Sequence, residues 1–141
     1  QLAVDLGVAE RVILTGFRTD VRDLLWMSDC FAFPSKREGL GIAALEGMAA
    51  GLPVIGHDIG GIRDFVVYGE TGWLCKEEED YKNSINDCIG VTGNRGSRNF
   101  LYMICSQKAI EFDLHKTDLI MKDVYNNYGN ETYGISSTID I

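Results

Sequence analysis

The chain has 141 residues, 45% of them hydrophobic and 24% charged, enough for one domain with a real core and too few for two of ordinary size. Lys and Arg number 13 against 21 Asp and Glu, a formal charge of −8, which leaves no basic stripe for a nucleic-acid backbone. The deficit is even, with 10 acids and 6 bases in residues 1–75 and 11 and 7 in residues 76–141, so an acidic tail is excluded. No apolar run approaches the roughly 18 residues of a membrane span. Cys30, Cys75, Cys88 and Cys105 are too irregularly spaced for a zinc site and read as reduced, mostly buried thiols of a cytoplasmic protein.

The opening, QLAVDLGVAERV, reads as a helix already under way and suggests a fragment. Short apolar runs bounded by Gly, Pro, Ser or Asp then predict strands over Val12–Thr15, Cys30–Pro34, Pro53–Gly56 and Trp73–Cys75. Helices are expected over residues 20–28 and 41–50 between them. Eleven of the 16 glycines lie at or before Gly72, in the loops of this alternation. Strand, helix and strand in turn, with runs that lack polar alternation, predict a doubly wound, Rossmann-like α/β layer on a parallel sheet over about residues 1–75.

From about Glu77 the pattern becomes helical. Glu77-Glu78-Glu79-Asp80 opens a helix where acids favour the dipole. Leu101, Ile104, Cys105, Ala109 and Phe112 recur at steps of three and four and form one apolar stripe. Ile120, Val124 and Tyr128 repeat the pattern, with Asp113 as N-cap of a last helix and a turn at Asp113–His115. The tail after Gly129 is expected to be frayed, and Asn130-Glu131-Thr132 carries no meaning as a glycosylation site in a cytoplasmic chain.

The stretch from Pro34 to Ile55 carries the chemistry. It reads as strand end, glycine loop, helix and next strand. Gly39 and Gly41 let backbone approach a ligand, and the helix that follows aims free N–H groups and its positive dipole end at that point, a ready site for phosphate. From Gly41 to Ala50 the one charged residue is Glu46. At about 1.5 Å per residue it stands ~7 Å from the loop end, a span that one ligand can bridge. On this reading the loop holds the phosphates of a nucleotide, Glu46 accepts hydrogen bonds from a sugar diol, and Glu38 faces the reacting sugar. Spacing alone leaves a second reading open, in which Glu46 pairs with a nearby base and Glu38 is a solvated loop acid.

The arrangement Glu38-Gly-Leu-Gly-x4-Glu46, followed by Gly-Leu-Pro-Val-Ile, Gly60-Gly61-Ile62 and Gly69-Glu-Thr-Gly-Trp-Leu74, resembles the nucleotide-sugar glycosyltransferases of family 4. The resemblance is to the C-terminal, donor-binding half of the GT-B fold. Val12 to Arg18, Val21 to Asp29 and Phe31 to Ser35 are similar to the elements before that loop in the family, and the likeness runs over about residues 1–128. The resemblance implies that Glu46 binds the ribose hydroxyls and that Glu38 contacts the transferred sugar. The backbone of Gly39, Leu40, Gly41 and Ile42 would meet the sugar and the distal phosphate, and Phe17 and Arg18 would lie along the nucleobase.

Further implications of the resemblance are a UDP- or GDP-linked sugar as donor, no cofactor and no metal ion, retention at the anomeric carbon, and a glycan or lipid-linked acceptor held by a separate N-terminal domain. The setting would be polysaccharide or cell-envelope assembly in the cytoplasm, at the inner face of the membrane, with peripheral attachment of the full-length protein. The Arg and Lys that grip the diphosphate in the family lie upstream of the residues present, so the isolated chain is expected to be inactive. A split nucleotide-sugar-binding module needing a partner chain and a GT-B nucleotide-sugar epimerase are the alternatives.

Other residues receive plainer readings. His57 is taken as a loop histidine at the sheet edge, Gly60-Gly61 as a tight turn near the cleft, and Lys36 and Arg37 as a solvated pair. Trp26 and Trp73 are assigned to core or interface packing rather than to sugar stacking.

Overall fold

The computed structural model describes residues 1–113 together with Leu119, Met121 and Lys122. In chain order the elements are α1 (Leu2–Asp5), a 3-10 turn (Ala9–Arg11), α2 (Val21–Trp26), β1 (Phe31–Phe33), α3 (Ile42–Ala49), β2 (Val54–His57), α4 (Gly60–Arg63), β3 (Gly72–Cys75), α5 (Glu78–Thr92) and α6 (Arg95–Ile110). The strands form one parallel sheet in the order β1-β2-β3. Phe31 is in register with Val54, and Val54 with Gly72.

Alternate residues of β2 point to opposite faces, as a strand requires, and each face has its own core. Val54 joins Ala44, Met48, Ile62, Phe65, Leu101 and Cys105 beneath α3, α4 and α6. Ile55 joins Trp73, Cys75 and Cys88 beneath α5. Helices therefore cover both faces, the doubly wound arrangement that the apolar strand runs predict. The α6 stripe lies as its spacing requires, with Leu101 and Cys105 buried and Ile104, Ala109 and Phe112 packed on the same core. Arg98 of α6 pairs with Asp29 at 2.7 Å and Tyr102 donates to the Ser28 carbonyl at 3.2 Å, so α6 is tied to the turn before β1. The acidic run at residues 77–80 opens α5 through a reciprocal capping box between Glu77 and Asp80.

Three expectations are corrected. Val12–Thr15 forms no strand: Ile13 and Leu14 are 85% and 92% exposed, and no described residue offers them a ladder of hydrogen bonds, without which apolar β-branched residues do not make a strand. His57 is the last residue of β2 rather than part of the following loop. Gly60 and Gly61 start the one-turn helix α4 rather than a tight turn. Trp73 is core, but Trp26 is 63% exposed, with the Arg22 guanidinium 4.9 Å above its ring. The last helix placed on Ile120, Val124 and Tyr128, the turn beyond Asp113 and the tail after Gly129 lie outside the described residues. All four cysteines are free thiols, with Cys75, Cys88 and Cys105 buried and Cys30 half-buried. Among the described residues no helix is long and apolar enough to cross a membrane.

Candidate functional site

The loop from Pro34 to Gly41 leaves the carboxyl end of β1 and feeds α3. Within it the Ser35 hydroxyl donates to the Glu38 carboxylate at 3.1 Å, which holds an otherwise exposed acid beside the glycines. Gly41 is the N-cap of α3 at φ +71°, a left-handed conformation that favours glycine. A Cβ at this position would also lie 2.8 Å from Ile62 Cδ1. The Gly41 carbonyl accepts from the N–H groups of Ala44 and Leu45 at 2.9 and 3.1 Å, which fixes the first turn. No side chain caps that turn, and the N–H groups from Gly39 to Ala43 donate to no acceptor among the described residues. An α-helix begins with orphan donors and the positive end of its dipole, and here both are left available.

α4 sets the position of this loop. Gly61 packs directly on the Gly39 carbonyl: a Cβ on Gly61 would overlap the carbonyl oxygen and lie 2.7 Å from the carbonyl carbon. The Gly60-Gly61 pair therefore serves a close approach of two backbones rather than a change of chain direction.

α3 buries Ala44, Gly47 and Met48 and exposes Ile42, Ala43, Glu46 and Ala49. Glu46 stands one helical turn after Ile42, so it shares a face with the N-terminal donors. Its carboxylate makes no hydrogen bond or ion pair among the described residues; the pairing with a nearby base that spacing had left open is not formed. Glu46 instead borders two grooves. One, of about 410 Å³, is lined by Leu40, Ile42, Leu45, Ala49, Ala109 and Phe112 among others. The second, of about 380 Å³, is walled by Val21, Arg22, Leu25, Trp26, Ala49 and Ala50. Exposed and without a partner among the described residues, the Glu46 carboxylate is free to accept hydrogen bonds from a ligand at the mouth of either groove.

The structure thus brings Glu38, Gly39, Leu40, Gly41, Ile42 and Glu46 together on one crossover between β1 and β2. Phe17 and Arg18 stand apart from it. Phe17 is 96% exposed, and the Arg18 guanidinium forms a bidentate pair with Asp20, Nε to Oδ1 at 2.8 Å. That pair holds the Asp20 carboxyl below the usual carboxylate range. Lys36 and Arg37 are exposed and form no ion pair among the described residues.

Two features escaped sequence reasoning. The first is the groove wall of Arg22 and Trp26, for which the exposed Trp on a short amphipathic helix was the one available signal. The second is the charge network behind α4, where Asp58 pairs with Arg63 and with Lys76, the latter at 3.4 Å. These cations hold the Asp58 carboxyl below its usual range, Arg63 first. Among the described residues no group of three or more His, Cys, Asp or Glu is placed to hold a metal ion.

Residues 1–91 match the family described as glycosyl transferases group 1. Over 76 residues the chain is 41% identical to N-acetyl-alpha-D-glucosaminyl L-malate synthase of Bacillus anthracis, which covers 54% of this chain and 20% of that protein. Over 122 residues it is 33% identical to UDP-Gal:alpha-D-GlcNAc-diphosphoundecaprenol alpha-1,3-galactosyltransferase of Escherichia coli, covering 86% of this chain and 31% of that one. Anabaena Alr3699/HepE, solved in complex with UDP-glucose, superposes with a TM-score of 0.66 at 28% identity over 85% of this chain and 35% of its own. The chain thus spans between a fifth and a third of the length of these curated relatives. The parallel, doubly covered sheet is the Rossmann-like fold of GT-B glycosyltransferases. With the family matched over residues 1–91, and with the glycine loop and both glutamates inside that span, this chain belongs to the group 1 glycosyl transferases.

Proposed function

We propose that the chain is the donor-binding half of a retaining family 4 glycosyltransferase, which moves a hexose from a UDP- or GDP-linked donor to a glycan or lipid-linked acceptor held by a second domain. One observation carries this reading: Glu46, a carboxylate with no partner among the described residues, stands on the same face of α3 as the N–H groups left open at its start. A nucleoside diphosphate has the complementary shape, with hydroxyls of the ribose for Glu46 and a diphosphate for the N–H groups.

In this reading Glu46 accepts from the ribose diol. The backbone of Gly39, Leu40, Gly41 and Ile42 meets the distal phosphate and the sugar. As the sugar–phosphate bond breaks, negative charge grows on the leaving diphosphate, and preorganised N–H donors at a helix start stabilise it without reorganisation. Glu38, steadied by Ser35, contacts hydroxyls of the transferred sugar and so is the catalytic residue of this chain. Retention then follows from attack on the face that the diphosphate leaves, so the two glutamates do not act as the acid and nucleophile of a glycosidase. Phe17 and Arg18 border the nucleobase through main-chain contacts, since the Arg18 side chain is committed to Asp20. No metal or cofactor enters the reading. Residues 1–75 supply the nucleotide-sugar layer of a domain that extends to about residue 128. The names of the relatives, which act in lipid-linked and small glycoside synthesis, support polysaccharide or cell-envelope assembly at the cytoplasmic side of a membrane.

Calorimetric titration of the chain with UDP, GDP and ADP, in parallel with Glu46→Ala, tests the reading. Binding of one of the three that is lost in the variant is the expected result. Equal binding by chain and variant would overturn the assignment of Glu46.

A further inference from the structure

His57 has no part in the donor site. It ends β2 at the carboxyl edge of the sheet, where open α/β sheets take their ligands. Its Nδ1 lies 3.3 Å from the Tyr81 hydroxyl of α5, and the two rings are nearly parallel, at 4°, with centroids 6.4 Å apart. The pair lines a groove of about 410 Å³ together with Pro34, Lys36, Lys76, Glu77 and Glu78, a volume within the roughly 300–1,000 Å³ of small-molecule sites.

This groove shares no lining residue with the two grooves beside Glu46, yet it adjoins Glu38. Pro34 and Lys36 belong to the loop that carries Glu38. α4, which begins three residues after His57, rests on the Glu38–Gly39 backbone through Gly61. The groove and Glu38 thus share one loop, while Glu46 borders the two other grooves.

The lining specifies the class of ligand. Two lysines and two glutamates line it, so the lining carries no net charge to select an ion. Lys36 and Lys76 donate, Glu77 and Glu78 accept, and the imidazole and phenol do either, a mixture that matches hydroxyl groups, which both give and take hydrogen bonds. The aromatic pair adds an apolar surface for ring C–H groups. Part of the lining is held in place beforehand, Lys76 by Asp58 at 3.4 Å and Glu77 by the α5 capping box.

We propose that this groove is an accessory acceptor subsite, which adds to the hold of the second domain by binding one uncharged, hydroxyl-rich sugar ring of the acceptor on the donor-binding side of the point of transfer. The proposal rests on the donor reading for its role and on the His57–Tyr81 groove for its location.

The test is an amide chemical-shift titration of the 141-residue chain with UDP, with UDP-glucose and, separately, with millimolar methyl glycosides of glucose, galactose, mannose and N-acetylglucosamine. At least one glycoside is expected to move the signals of Lys36, His57, Lys76 and Tyr81, while UDP moves those of Gly39 to Ile42 and Glu46. Tyr81→Phe keeps the packing of α5, and Glu78→Ala alters an exposed side chain; each should weaken the glycoside about fivefold, the scale of one hydrogen bond, with UDP affinity unchanged. Glycosides that leave the groove signals in place while UDP binds would overturn the subsite. So would groove signals that answer to UDP-glucose alone, since the groove would then be the pocket of the donor's own sugar. Glycoside shifts at the groove with no UDP response at Glu46 would overturn the donor reading and support the sugar site.

Discussion

Replacing Gly61 by alanine probes how α4 sets the loop that carries Glu38. The added Cβ would overlap the Gly39 carbonyl oxygen and lie 2.7 Å from its carbon, whereas carbon atoms pack at about 3.5 Å or more. One of the two backbones must therefore retreat by about 0.8 Å to clear the carbon, and by more than that to clear the oxygen. Neither neighbour is the free end of a side chain, so relief requires the Glu38–Gly41 segment to leave α4 or α4 to leave the sheet. Overpacking of this kind costs about 1–3 kcal/mol, and misplacing a positioning group by ~1 Å costs on the order of 100-fold in a site that depends on geometry. Gly60 provides the control. It belongs to the same turn, a Cβ there would meet nothing within 4 Å, and its φ is not positive. Gly60→Ala should therefore gain roughly 0.5–1 kcal/mol from the reduced freedom of the unfolded chain. Urea denaturation should place the two variants on opposite sides of the parent, and UDP titration should show at least tenfold weaker binding for Gly61→Ala alone. A Gly61→Ala chain with the parental urea midpoint and parental UDP affinity would refute the reasoning.

Three further outcomes are expected. Glu46→Ala should leave the unfolding free energy from urea within about 0.5 kcal/mol of the parent, since the side chain is exposed and has no partner among the described residues, while UDP affinity falls at least tenfold; parallel losses in both would mean a structural role. Met48→Ala, at a fully buried position of the core under α3, should cost about 2–5 kcal/mol, against almost nothing for Ile42→Ala, which is 65% exposed. Cysteine alkylation should begin at Cys30. The neighbouring Cys88 thiol lowers its pKa to about 7, so the rate should rise through that pH as the thiolate forms. Cys105, pushed up to about 12 by burial, and Cys75, raised by burial first, should react only on unfolding; equal labelling of all four in the folded chain would contradict this.

The parts of the site that spacing revealed are those built within a single crossover. β1, the glycine loop, α3 and β2 are contiguous, so distance along the chain translates directly into distance in space: Glu46 falls on the face of Ile42 because four residues make about one turn. The α6 stripe was readable for the same reason. Pairings between distant elements carry no such signal. His57 and Tyr81 are 24 residues apart, Lys76 reaches back to Asp58 across β3, and neither contact leaves a period in the sequence. Val12–Thr15 shows the opposite failure, where local composition is that of a strand but pairing decides whether one forms.

The Asp58 network links these two kinds of information, and its titration can be argued to an outcome. The Asp58 carboxyl is held below its usual value first by Arg63 and then by Lys76. A carboxyl whose folded pKa is depressed contributes stability that is present above its unfolded pKa, near 4, and is lost as pH falls through the lower folded value. The junctions after β2 and β3 are thus tied together at neutral pH and released only in acid. Removing Arg63, the stronger partner, should raise the Asp58 titration toward the ordinary carboxylate range, and Lys76→Ala should raise it less, both read from the Asp58 carboxyl signal by NMR. The reverse order, or no change in either variant, would mean that solvent screens these pairs and that the groove beside His57 is shaped by the α5 capping box instead. The order expected here follows from geometry: the Arg63 guanidinium also donates to the Asp58 carbonyl at 3.2 Å, so that side chain is held to Asp58 twice, whereas among the described residues the Lys76 ammonium reaches Asp58 through one contact, at 3.4 Å.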